Sequence, residues 1–326
     1  MSLIRQLDYV DADVSYLLGL ITARGRISEI SGNRQVSIEF PYHSLEAQGI
    51  HKSFDVNTSI RLGLSAIRER ILEITGADIS IIEKENEVVL AIRFLRSTMS
   101  WRNILMHTQG KTGYEHFTVP EVLFSSDVPK DWKREYVRGY ADVAGNVRHS
   151  NRYTDGTNRV RLDVLNYPSN WEMPVQLCTL LEEHLEVPVQ LITWGHPNMG
   201  RDFREHQVNI FALPFGKIGF SLNHKQEILD EFIEYDRINF PNRIYSPCFG
   251  RKKLKRRKPR NNNENNEHLD ERIRGQHFNA YWQICKKMGC TRTPKVIQQL
   301  LWEFNEQEAL EEEPDEDISA REGNVS

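Results

Sequence analysis

Two nine-residue stretches, LLGLITARG (17–25) and VRGYADVAG (137–145), decide the fold of this 326-residue chain. Each has glycine at its third and ninth positions, and Gly139 follows Gly19 by 120 residues, since 139 minus 19 is 120. Both stretches have the pattern of a helix that ends at its second glycine. They therefore predict an internal duplication in which each copy begins with a helix.

The segments after the two stretches repeat the same order of elements. The first copy predicts a strand at 34–40, a helix at 57–76, strands at 77–82 and 87–95, and a helix at 97–108. The second copy predicts a strand at 158–165, a helix at 167–185, strands at 187–194 and 206–213, and closing helix at 214–236. The fold class is therefore expected to be α+β, with two αββαββα repeats.

Four regions follow from this pattern. They are a first repeat (1–125), a second repeat (126–237), a basic loop with a small, mostly helical extension (238–312), and an acidic disordered tail (313–326). The extension contains one predicted helix that ends at Gly289 and another that begins after Pro294. It is either a small DNA-binding module or a helix pair that packs on the main body.

Small residues favour a close crossing of the two stretches as helices. Gly19 and Ala23 form a small face on the first helix, and Gly139 does so on the second, although Val143 there is bulkier. The simpler alternative is that both are ordinary amphipathic core helices.

The two stretches resemble the doubled LAGLIDADG motif of homing endonucleases. The resemblance extends over roughly residues 10–236 and includes the closing phrase FGKIGFSLNHKQEIL (215–229). It implies a pseudo-dimer whose two antiparallel sheets form a saddle over the major groove of DNA. It also implies an acid at the eighth motif position, where the two acids together hold Mg²⁺ and activate water.

The candidate base-contacting residues lie on the predicted strands. Period-2 alternation places Arg159, Arg161 and Asp163 on one face of their strand, and Arg161 has the geometry to pair with guanine. Arg34 is the candidate on the strand of the first repeat, where Gln35, Ser37 and Glu39 form the opposite side. Polar residues on any half-buried sheet would give the same pattern.

The catalytic positions depart from the family. The eighth residues are Arg24 and Ala144, and neither side chain can ligate a cation. Arg24 suits the negative end of a helix and is itself a candidate phosphate contact. Asp142 and Glu29 are the candidate acids to replace the missing pair, but Asp142 points about 160° away from the eighth position. A surface or capping role is therefore expected for Asp142.

A zinc site is possible in the C-terminal region. Cys248, Cys285 and Cys290 with His277 or His268 supply the ligand types of a structural Cys3His site, although Cys248 lies far from the other two in sequence. The alternative is that these cysteines are free buried thiols. Cys178 is expected in the core.

Charge is strongly segregated along the chain. The net charge is -4, yet residues 302–326 hold ten acidic residues and one arginine, so residues 1–301 carry +5. RKKLKRRKPR (251–260) has eight basic residues, among them Lys252, Lys253, Lys255, Arg256 and Arg257 as candidate DNA contacts. A basic body favours a polyanionic partner. Solvated charge runs are the simpler alternative.

Composition excludes several classes. The chain has no run of 18 apolar residues, no secretory signal pattern and too few cysteines for a disulfide scaffold, so a cytoplasmic protein is expected, nucleoid-associated if bacterial. A monomer is expected because the duplication supplies both halves.

The expected function is binding of a specific duplex DNA site, as in a repressor or a specificity subunit, with the usual cleavage lost. No cofactor is certain. The alternative is an active endonuclease of homing or restriction type that uses displaced acids and Mg²⁺. A third possibility is a protein-interaction module whose acidic tail binds a basic partner.

Overall fold

The computed structural model describes residues 10–149, 156–164, 172–194 and 206–245. The zinc candidates Cys248, His277, Cys285 and Cys290 and the DNA-contact candidates in the 251–260 run lie outside these residues. So do the predicted helical extension and acidic tail. None of the described helices is long and apolar enough to cross a membrane.

The first repeat begins with helix α1, Ala12–Arg24, which Asp11 caps by accepting a hydrogen bond from the Val14 amide at 2.8 Å. Its other elements are β1 (Gly25–Ile30), β2 (Asn33–Pro41), α2 (Tyr42–Leu45), β3 (Ala47–Gln48), β4 (Ser53–Phe54), α3 (Val56–Ser59), a π-helical turn (Ile60–Leu64), α4 (Ser65–Thr75), β5 (Asp78–Glu83), β6 (Glu87–Phe94) and α5 (Met99–His107).

A 3-10 turn (Glu121–Phe124) leads into the second repeat. Its elements are α6 (Lys130–Ala144), β7 (Gly145–Arg148), β8 (Arg159–Val164), α7 (Glu172–Thr179) with a π-helical turn (Leu180–His184), β9 (Val189–Trp194), β10 (His206–Phe211), α8 (Ala212–Phe215) and α9 (Asn223–Asn239).

The two sheets repeat one topology. The order is β1-β2-β6-β5 in the first sheet and β7-β8-β10-β9 in the second, with antiparallel pairing throughout these strands. The α+β duplication predicted from the sequence is therefore confirmed. Helices α1 and α6, the first helix of each repeat, pack against each other where the two repeats meet. Ten consecutive residues of α1, Ser15 to Arg24, are buried. A helix buried on all sides belongs to the centre of a fold.

The glycines that end α1 and α6 act through packing. Gly25 and Gly145 both have extended backbones, with φ of -91° and -81°. A Cβ at Gly25 would lie 2.8 Å from the Cα of Ile21, so the chain turns directly from helix into strand only where no side chain intervenes. The strands that follow, β1 and β7, are not individually predicted from the sequence.

A strap, residues 42–54, joins the first repeat to the second. Its strand β3 pairs in parallel with β7, and β4 extends the same sheet. The Glu231 carboxylate accepts hydrogen bonds from the amides of Ile50 and His51 at 3.1 and 2.8 Å. The Nε2–H of His224, which is fully buried, donates to the Leu45 carbonyl at 2.9 Å.

His224 should make stability depend on pH. Burial, with Lys225 nearby, lowers its pKa from 6.5 to about 4, so the folded protein keeps the ring neutral while the unfolded chain binds a proton. Stability should therefore fall as pH drops from 6.5 to 4, by about 3 kcal/mol from this group. When the free energy of unfolding is measured by urea titration at several pH values in this range, it should change less with pH for His224→Gln than for the unmodified protein.

The exposed His116 provides the control for this measurement. His116→Gln should unfold with the same pH dependence as the unmodified protein. Equal slopes for His224→Gln and the unmodified chain would show that the buried ring is not the group responsible.

Candidate nucleic-acid interface

Helices α1 and α6 cross at their glycines. A Cβ at Gly19 would collide with the carbonyl oxygen of Tyr136 and lie 2.9 Å from the amide nitrogen of Tyr140. A Cβ at Gly139 would collide with the carbonyl oxygen of Tyr16 and lie 3.2 Å from another amide nitrogen of α1. The backbones are therefore in contact, as the small residues predict.

Two tyrosines connect the helices reciprocally. Tyr16 donates its hydroxyl to Asp142 at 2.7 Å, and the hydroxyl of Tyr136 lies 2.8 Å from that of Thr22. Each tyrosine directly precedes its own motif and contacts the sixth residue of the other motif. Burial raises the pKa of both phenols, so both are neutral in the crossing.

Asp142 lies inside the protein and is fully buried. Besides Tyr16, its carboxylate accepts hydrogen bonds from the amides of Ser221 and Leu222 at 3.0 and 3.3 Å, at the start of α9. The surface position expected for Asp142 is wrong, because its carboxylate is held inside the core by the amides of the two residues before α9. Burial raises the pKa of this carboxyl, while the Tyr16 hydroxyl and Lys225 oppose that rise.

A lysine lies at the C-terminal end of α6. Lys225 is fully buried and donates to the carbonyl oxygens of Asp142 and Gly145 at 2.7 and 3.0 Å. Burial lowers its pKa to about 8, while Asp142 and Asp163 act to raise it. An ammonium suits this position because the unsatisfied carbonyls make a helix C-terminus negative.

The end of α1 is also cationic. Arg24 is the last residue of α1 and is 8% exposed. Burial lowers the pKa of His43 to about 4, and the positive charges of Arg24, Arg148 and Lys225 add to this effect. Both motif helices therefore end next to a cation, and neither eighth residue is an acid.

The first sheet has the expected alternation. Val36, Ile38 and Phe40 of β2 are buried, and Gln35, Ser37 and Glu39 face the other side and are partly exposed. Two candidates are paired with each other at the far end of this strand. Arg34 forms an ion pair with Glu29 at 2.7 Å, which partly neutralises both side chains. Contact with DNA by Arg34 and a catalytic role for Glu29 remain predictions.

The second sheet also alternates, but its polar face is largely closed. Val160, Leu162 and Val164 are fully buried in the core, as expected. On the polar face Arg161 is partly exposed, whereas Arg159 and Asp163 are only 6% and 3% exposed. Base contact by these three residues remains a prediction, and only Arg161 has an accessible side chain in this conformation.

Among known proteins, similarity to this chain was found in solved structures. No protein-family model matches the chain, and no curated protein matches it. The homing endonuclease I-DmoI in complex with DNA and Mn is 13% identical, with 68% of this chain and 96% of that chain covered and a TM-score of 0.37. Full-length WhiA from Thermotoga maritima is 16% identical, with 73% and 64% covered and a TM-score of 0.39.

The N-terminal LAGLIDADG domain of WhiA is 13% identical, with 70% of this chain and 88% of that chain covered and a TM-score of 0.32. Within this chain, the duplicated sheet order and the crossing at Gly19 and Gly139 agree with the fold that the motif resemblance implies.

The residues at the motif ends do not fit the Mg²⁺ ions of LAGLIDADG nucleases. Hard divalent cations need oxygen ligands, and carboxylates supply most of the charge. Arg24 and Ala144 offer none, and the Lys225 ammonium already binds the carbonyls at the end of α6. Among the described residues, no group of three or more His, Cys, Asp or Glu side chains is placed to hold a metal.

Three residues at the crossing of α1 and α6 and at the end of α6 were not predicted from the sequence. Tyr16 and Tyr136 were detectable, because both directly precede their motifs and are 120 residues apart. Lys225 gave no such signal, since a lysine in an amphipathic helix normally faces solvent.

Proposed function

We propose that this protein binds a specific duplex DNA site through the polar faces of its two sheets and does not cut it by the two-acid mechanism. The observation that carries the proposal is the pair of cations, Arg24 and Lys225, at the ends of the motif helices. The close crossing of α1 and α6 at Gly19 and Gly139 is nevertheless present. A scaffold that keeps the geometry and replaces its acids suits a repressor or a specificity subunit.

Electrostatics favour DNA over metal at this centre. Three cations lie close enough to His43 to lower its pKa: Arg24 at the end of α1, Arg148 in β7 and Lys225 in α9. Fixed positive charges repel Mg²⁺ and attract phosphate, and a guanidinium pairs with phosphate in a bidentate manner. The basic run 251–260 adds further candidates for phosphate contact.

Binding should therefore need no divalent metal. In a gel-shift assay at low salt, EDTA should leave the affinity for a selected duplex unchanged. Affinity should fall steeply with salt, with a log–log slope of about 0.9 for each phosphate contact. A supercoiled plasmid incubated with Mg²⁺ or Mn²⁺ should stay intact.

Arg24→Ala tests the centre directly, and Lys130→Ala is its control. Lys130 is an exposed cation at the opposite end of α6, paired with Glu186. Arg24→Ala should weaken duplex binding about tenfold or more, as for a lost charge-assisted contact, and Lys130→Ala should not. Absence of duplex binding at low salt would contradict the proposal and favour a protein-interaction module.

The alternative, an endonuclease with displaced acids, has one specific observation in its favour. The strand register places Ile38 opposite Gly25 and Leu162 opposite Gly145, so Glu39 and Asp163 follow at equivalent positions beside the motif ends. Glu39 interacts with Arg26 at 3.4 Å, and Asp163 lies near Lys225. Cleavage with Mn²⁺ that Glu39→Gln and Asp163→Asn abolish would establish this alternative.

A further inference from the structure

A phenylalanine occupies the polar face of the second sheet. Phe211 of β10 pairs in register with Arg159. The equivalent pair in the first sheet is Arg93 with Gln35, and Arg93 is exposed. Phe211 is only 2% exposed. An aromatic ring on a polar sheet face is buried only when another part of the protein covers it.

The chain after α9 supplies part of this cover. The guanidinium of Arg243 lies 4.9 Å from the centre of the Phe211 ring, and the ring of Tyr245 contacts it edge-on with centroids 5.2 Å apart. The guanidinium of Arg159 also lies against Phe211, at 5.4 Å. Residues 240–245 are called the cover segment below.

The start of the cover segment is fixed beside β8. Asp236 near the end of α9 is fully buried and accepts from the side-chain amide of Asn158 at 2.9 Å. The ring of Phe240 lies 3.1 Å from the position of a Cβ at Gly156, whose φ of +73° favours glycine. The segment therefore leaves a fixed point and returns across the polar face.

We propose that the cover segment is autoinhibitory: it covers the part of the second sheet's polar face that holds Phe211 and Arg159, and it must move before Arg159 can reach a duplex. The proposal rests on the proposed function. Arg159 lies on the same Phe211 ring as Arg243 of the cover segment and is 6% exposed. In this conformation the Arg159 guanidinium lies against the Phe211 ring at 5.4 Å and is not presented to a duplex.

Tyr245→Ala tests the proposal without changing charge. Loss of the ring contact should favour the open state, and apparent affinity rises with the fraction of binding-competent protein. The variant should bind the selected duplex about three- to tenfold more tightly. Ile244→Ala is the matched control, because Ile244 belongs to the same segment and is 85% exposed. It should bind as the unmodified protein does.

A second measurement needs no DNA. Phenylglyoxal modifies accessible arginines, and mass spectrometry of the peptide with Arg159 reports the rate at that residue. The rate should rise several-fold in Tyr245→Ala and stay unchanged in Ile244→Ala. An unchanged rate in Tyr245→Ala would overturn the proposal.

The two measurements separate the proposal from the proposed function. If Arg159 is modified faster in Tyr245→Ala but no variant binds a duplex, the result would support the covering role of the segment and contradict DNA binding. Duplex binding that Tyr245→Ala weakens or leaves unchanged would keep the function and overturn autoinhibition. Arg243→Ala adds a further check, since a lower affinity would make Arg243 a DNA contact rather than part of a cover.

Discussion

Gly19→Ala should destabilise the protein by about 3 kcal/mol or more. The new methyl group would occupy the space of the Tyr136 carbonyl oxygen, and backbone atoms of a packed helix cannot rotate away as a side chain can. The helices would have to separate, which would also lengthen the hydrogen bonds of Tyr16 and Tyr136 across the crossing. A lower urea midpoint with an unchanged m-value would report this loss.

Gly113→Ala is the control for the same chemical change. The nearest atoms to a Cβ there are the ends of the Glu115 and Arg26 side chains, which can move. Its effect should stay within about 0.5 kcal/mol. Similar midpoints for both variants would show that the helices do not touch at Gly19. Gly139→Ala should match Gly19→Ala, and the double variant should cost less than their sum because both disturb one contact.

Local pattern was sufficient to predict the repeat. The spacing of the two motifs, the period-2 strands after them and the helices between follow from residues close together in sequence. The sheet orders β1-β2-β6-β5 and β7-β8-β10-β9 confirm that duplication. Short pieces such as β3 could not be predicted, because two residues carry no period and their pairing with β7 spans about a hundred residues.

The sequence predicted the motif residues of the candidate site, but it did not predict which residues they contact. Asp142 was expected at the surface, but at the buried end of α6 its side chain contacts Tyr16 of the neighbouring helix and the amide of Ser221 instead of solvent. Arg34 and Glu29 were predicted separately, and the hairpin between β1 and β2 brings them together. The lysine at the end of α6 comes from a helix 80 residues later.

These partners share one physical origin. Each is a charged or polar group whose role depends on where a distant element places its backbone. Single-sequence patterns record burial and period, and they hold no information on which buried charge meets which. The acids and cations of the motif centre therefore had to be found in the structure.

Asp142→Ala should be the most destabilising substitution at this centre, at about 3–5 kcal/mol. It leaves the buried ammonium of Lys225 without the carboxylate charge that favours it most, and an uncompensated buried charge is costly. It also removes the acceptor of the Tyr16 hydroxyl and of the amides at the start of α9. Urea unfolding measures the loss, and Asp230→Ala, which removes an exposed acid of α9, should change stability by about 0.5 kcal/mol or less.

Pairing the substitution with a change at Lys225 separates a structural acid from a catalytic one. Asp142→Asn with Lys225→Met should destabilise the protein by less than the sum of the two single substitutions, because each change alone leaves the other buried charge uncompensated. A metal-ligating acid would behave differently. Asp142→Ala would then abolish Mn²⁺-dependent cleavage while stability stayed close to that of the unmodified protein, and Lys225→Met would restore nothing. The buried hydrogen bonds of Asp142 to both Tyr16 and α9 support the structural outcome.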